Sequence, residues 1–157
     1  MNEKLIKEKM KTLALLLSYE YNDIKYLCNA MRSSLIHNEG DGKNRKNYSN
    51  DALATLGDSI LKFVLTEKLF LENKNKGEIT EIKKKIENNQ TLHTMCINRG
   101  IINFAYNDLY FYDGAPKEYK VYHSKHDVYI EAIIGAIYLD RGIRYTKKWI
   151  LEFFKNY

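Results

Sequence analysis

Apolar residues recur at three- and four-residue spacing along almost the whole of this 157-residue chain, and no run alternates apolar and polar residues as a half-buried strand does. That pattern commits the chain to helices. The lone Pro, Pro116, leaves most helical stretches uninterrupted, and the length suits a single domain with a single core over residues 1 to 157. An all-α fold follows. Helices are predicted from residue 3 to about 19, from Asn22-Asp23 through Leu35, from Ser49 or Asn50 to about Glu72, and from about Ile79 to Arg99-Gly100, with a restart at Asn88-Asn89. Residues 101 to 125 are the least regular part, with short helical pieces expected around the Asp113-Gly114 turn. The stretch from about His126 to Asp140 is apolar almost all round and reads as a central helix closed at Arg141-Gly142. A last helix, from residue 144 to about 156, should bury Trp149, Ile150, Phe153 and Phe154.

Composition excludes several other classes. The Leu13–Leu17 run is too short to span a bilayer, no cleavable leader follows it, and the expected location is the cytoplasm, away from any membrane. Cys28 and Cys96 stand alone, without the paired spacing of a zinc site or a disulfide framework, and read as core residues. A net charge of +5 favours a polyanion without identifying one. Its distribution is more specific: Lys43, Arg45 and Lys46 cluster in the Gly-containing loop 37–48, and Lys83-Lys84-Lys85 on a helix.

Two positions resist a purely structural reading. Glu131 sits among Ile130, Ala132, Ile133 and Ile134, where a carboxylate loses hydration worth several kcal/mol, roughly, unless it is paired or bound to a metal. Its partner is either a buried Lys or Arg, or a divalent cation shared with another acid. Gly57 lies mid-helix, where Gly costs about 1 kcal/mol relative to Ala, so another backbone is expected to pass close by. If that backbone is the 126–141 helix, Asp58 and Glu131 converge, and two carboxylates in one site favour Mg²⁺ between them. Asp51, Ala54, Asp58 and Lys62 share one face of the helix, adjoining the stripe of Leu53, Leu56, Ile60, Phe63 and Val64, which is core or dimer surface.

Four segments carry a family resemblance in order and spacing. Residues 50–59, NDALATLGDS, resemble the ribonuclease III signature; residues 27–35 resemble its opening helix; Gly77 to Leu92 resembles its GELT…NxxL segment; and EAIIGAIYLD at 131–140 is similar to its EALIGAIYLD. The resemblance covers most of the chain from about residue 20. It implies an all-α nuclease domain that forms a symmetric homodimer through the signature helix, binds double-stranded RNA between two acidic sites, and cuts it with Mg²⁺, or Mn²⁺ in its place, to leave 5′-phosphate and 3′-hydroxyl ends. Asp58 and Glu131 fall on the metal ligands, and Asp51 on the first Glu of the signature. Glu78 and Asn89 fall at the RNA edge, beside the basic Lys43, Arg45 and Lys46.

The chain departs from that pattern at Ala54 and Val128, where the family has acids, and at Thr55, where it has a bulky aromatic. Asp127 stands one residue early, about 100° round a regular helix, as a substitute ligand. In its reduced acidic set the chain resembles the Mini-III branch, which has no double-stranded RNA-binding domain, and no such domain is expected here. Ribosome-associated relatives supply the opposite precedent: they keep the fold, lose acids, and bind RNA or ribonucleoprotein without cutting. His123, His126 and Asp127 spell HxxHD, as in HD-type phosphohydrolases, but that likeness leaves the four ordered segments unexplained. No organic cofactor is expected.

Overall fold

The computed structural model describes residues 2–33, 49–117 and 128–157. The basic loop with Lys43, Arg45 and Lys46, Leu35, which was expected to face inward, and His37, His123, His126 and Asp127 lie outside the described residues.

The first helix, α1 (Glu3–Leu16), starts where the Asn2 side chain accepts from the Lys4 amide at 2.8 Å. It stops short of the predicted Tyr19. Ser18 adopts a left-handed backbone (φ 52°), which turns the chain, and the Tyr19 amide returns to the Ala14 carbonyl. Helix α2 (Lys25–Met31) buries Leu27, Ala30 and Met31, as the spacing predicted. Helix α3 (Ser49–Leu71) follows. Asn50, expected as a cap, lies inside its first turn instead, and its buried Nδ2 donates to the Ala30 carbonyl at 2.6 Å, tying α3 to α2.

Helix α4 (Lys76–Glu87) begins three residues before the predicted Ile79. The reason is a capping box. Asn75 accepts from the Glu78 amide at 2.9 Å while Glu78 accepts from the Asn75 amide at 3.2 Å. Helix α5 (Asn89–Asn98) restarts at once, with Asn88 accepting from the Gln90 amide, and ends before Gly100, whose φ of 72° suits Gly. Short 3₁₀ turns, Ile101–Phe104 and Tyr112–Gly114, then lead towards α6 (Tyr129–Phe153), which bends at Gly142 (φ 81°) into the two predicted segments. Among the described residues extended pairing is confined to isolated bridges, Arg32 with Tyr106 and Tyr106 with Phe111.

The core forms where α3 lies along α6, the most extensive interface between elements. Leu53, Leu61, Val64 and Leu65 from α3 meet a single cluster that also holds Ile130, Ile133, Ile134 and Ile137 from α6. The predicted α3 stripe divides. Leu53, Ile60 and Val64 are buried and Leu56 is half-buried, but Phe63 is 53% exposed, with Phe70 at 69% further along the helix.

The bend in α6 is fastened from outside. Asp140 accepts from the Tyr19 hydroxyl and from the amides of Asn22 (2.8 Å) and Asp23 (2.9 Å), so one carboxylate organises the whole α1–α2 connection. Burial, with Asp140 adding to it, pushes the Tyr19 hydroxyl far above the usual tyrosine range, and the phenol stays a donor. Trp149, Ile150, Phe153 and Phe154 are buried as predicted, and the Trp149 indole donates to the Leu17 carbonyl at 3.0 Å.

Candidate active site

The crossing of α3 over α6 is closer than side chains allow. A Cβ built on Gly57 would fall 1.7 Å from the Glu131 carbonyl oxygen, and one on Gly135 would fall 2.3 Å from the Leu53 carbonyl oxygen. Each helix gives up a side chain to the other's backbone. The expectation that another backbone passes Gly57 is met, and the passing backbone is that of Glu131.

One consequence is positional: Asp58 and Glu131 line the same concavity, of about 540 Å³. Glu131 is 6% exposed, so its carboxylate forms the floor, while Asp58 stands nearer solvent and pairs with Lys62 one turn along α3, Nζ to Oδ2 2.8 Å. The Asp58 carboxylate holds Lys62 above its usual range, by hydrogen bond first and by charge second. Asp51, in the first turn of α3, and Asn89, in the first turn of α5, reach the same hollow. Ala54 and Val128 also line it and present only hydrocarbon.

Glu78, expected at the RNA edge, does not line this hollow; it is exposed elsewhere on the surface, where it also closes the α4 capping box. Glu87, which the spacing did not single out, closes one wall of the hollow from the last turn of α4. Burial pushes its carboxyl up; the Lys83 and Lys62 ammonium groups pull the other way, and Asp58 adds a smaller upward push. The packing of α4 against α3 brings it there.

The hollow therefore gathers carboxylates from three helices with one ammonium among them. Among the described residues its acidic donors are carboxylate oxygens, which hard divalent cations prefer, although no three His, Cys, Asp or Glu side chains among them stand close enough to enclose an ion. That set suits an ion held through one or two carboxylates that keeps several waters, which is the habit of Mg²⁺. Also among the described residues, no helix is long and apolar enough to cross a membrane, and both cysteines are free, Cys96 buried and Cys28 partly exposed.

Comparison with known proteins places the chain in a wider group. Residues 51–142, which include Asp51, Asp58 and Glu131, match the family model described as the ribonuclease III domain. The chain is 37% identical over 117 residues to ribonuclease 3 of Francisella philomiragia, covering 72% of this chain and 47% of that protein. It is 33% identical over 153 residues to ribonuclease 3 of Clostridium tetani, covering 94% of this chain and 60% of that one. The chain thus spans about half the length of the curated relatives it matches. In three dimensions it resembles the nuclease domain of ribonuclease III from Campylobacter jejuni, with a TM-score of 0.71 at 24% identity, covering 94% of this chain and 95% of that one.

Proposed function

Because the chain belongs to the ribonuclease III domain family, we propose that it is the catalytic part of a divalent-metal-dependent endonuclease that cuts double-stranded RNA to 5′-phosphate and 3′-hydroxyl ends. One observation carries the proposal: the Gly57 contact sets Asp58 and Glu131, from two different helices, into one hollow. Asp58 and Glu131 hold the ion, Mg²⁺ or Mn²⁺, and Asp51 orients the water around it. When bound, the ion supplies a Lewis acid for a phosphodiester oxygen and lowers the pKa of a bound water. The chain's own part is to fix two carboxylates in a half-buried wall, so that little reorganisation is needed at the moment of reaction.

The basic Lys43, Arg45 and Lys46, with Asn89 at the rim, bind backbone phosphates, which makes binding salt-dependent and governed by A-form shape rather than base sequence. Asp127 is proposed as a further metal ligand. The outer face of α3, with Phe63 and Phe70 exposed, is proposed to meet a second copy. The similar nuclease domain from Campylobacter jejuni has a structurally flexible region involved in dimer formation.

A second reading is favoured by Ala54 and Val128, which furnish the hollow with hydrocarbon: a domain that binds RNA or a ribonucleoprotein without cutting it. One experiment separates the two. A long RNA duplex and either of its single strands are incubated with the protein in Mg²⁺, in Mn²⁺ and in EDTA. The expected result is cleavage of the duplex alone, with either metal and not in EDTA, leaving ends that a phosphatase-dependent label identifies as 5′-phosphate. A duplex bound but intact in both metals establishes the inert reading instead.

A further inference from the structure

The proposed function leaves Lys62 and Glu87 unused, although both reach the hollow. Lys62 pairs with Asp58 at 2.8 Å, and the two side chains are 51% and 41% exposed, so the pair is weak and readily broken. Glu87 offers the opposite: its Oε1 is buried and has no hydrogen-bond partner among the described residues. Burying a carboxylate oxygen without a donor is unfavourable, and a donor arriving there is strongly bound. Lys62 and Glu87 also attract each other across the hollow.

We propose that Lys62 is a two-position cation, held by Asp58 when the hollow is empty of metal and transferred to Glu87 when a divalent ion takes Asp58. The inference rests on Asp58 and Glu131 being metal ligands. An ammonium beside Asp58 competes with the ion for the same oxygens and repels it by charge. Once displaced it needs another acceptor, and Glu87, on a different helix, supplies the unfilled one. Lys62 in this arrangement sets the metal concentration at which the site fills. Glu87 lowers that concentration by receiving the lysine rather than by touching the ion.

The two roles of Glu87 separate in a double-mutant cycle read by metal binding alone. Mg²⁺, and then Mn²⁺, are titrated calorimetrically at low ionic strength into the natural protein, Lys62→Met, Glu87→Gln and the double variant, each checked for an unchanged melting profile. Lys62→Met should bind metal roughly fivefold tighter and Glu87→Gln roughly fivefold weaker, as expected for one charge at close range in a solvated site. In the Lys62→Met background, Glu87→Gln should change affinity by less than about twofold, because no lysine remains to be received. The proposal is overturned if Lys62→Met binds no tighter than the natural protein, or if Glu87→Gln weakens binding equally in both backgrounds. Asp58→Asn and Glu131→Gln serve as separate controls: unchanged metal affinity in both would remove the underlying site assignment, whatever Lys62 does.

Discussion

Gly57→Ala should destabilise the protein by about 3 kcal/mol or more, at or beyond the top of the usual range for overpacking because the neighbour is unyielding backbone. The direction is informative because helix propensity alone predicts the reverse, a gain of about 1 kcal/mol for Ala over Gly in a helix interior. The new methyl group would lie 1.7 Å from the Glu131 carbonyl oxygen and 2.8 Å from the Gly135 amide nitrogen. These are backbone atoms inside a buried helix and have no rotamer to change. Relief requires α3 and α6 to part, and with them the core they share. Gly77→Ala is the internal comparison, since a Cβ there meets nothing closer than Asn75 Oδ1 at 3.4 Å. It should be neutral or stabilising by up to about 1 kcal/mol. Urea unfolding of both variants gives the contrast directly; a Gly57→Ala protein as stable as the natural one would mean that the helices do not cross here.

Glu131→Gln should abolish duplex cleavage to the extent of about 10³-fold or more while leaving the fold intact. The substitution keeps the shape of a side chain that is 6% exposed and removes its charge. If that charge holds a metal, several kcal/mol of transition-state stabilisation go with it, and each 1.36 kcal/mol is about tenfold in rate. Stability in EDTA should be unchanged or slightly raised, because a buried charge has been taken away. The natural protein should melt higher as Mg²⁺ is added and the variant should not. The structural alternative has the opposite pattern: an ion pair between Glu131 and a Lys or Arg, broken by the substitution, would cost about 3–5 kcal/mol even in EDTA.

What could be read from the sequence was whatever depends on local spacing or on a residue out of character. Gly57 in mid-helix and Glu131 amid isoleucines both announced themselves, and together they located the α3–α6 crossing and the hollow beside it. Gly142 and Gly100 marked their bends for the same reason. The division of the α3 stripe could not be read, because membership of an apolar stripe says nothing about how wide the covering surface is: on α3 the core takes Ile60 and Val64 and leaves Phe63 outside. Glu78 carried a legible local signal, an acid three residues after Asn75, and the capping box that this spacing encodes is formed. Glu87 and Asp140 were beyond reach. Glu87 joins the hollow through the packing of α4 on α3, and Asp140 meets partners more than a hundred positions earlier in the chain, contacts that no periodicity encodes.

Everything proposed for the hollow depends on Asp58 and Glu131 holding one divalent ion between them. Crystals of the protein soaked in Mn²⁺ and measured for anomalous scattering test this without reference to turnover. The expected result is an anomalous peak within coordination distance of both carboxylates, with Lys62 moved off Asp58. Saturating Mn²⁺ that leaves the hollow empty, or that binds elsewhere while Lys62 stays on Asp58, would contradict it.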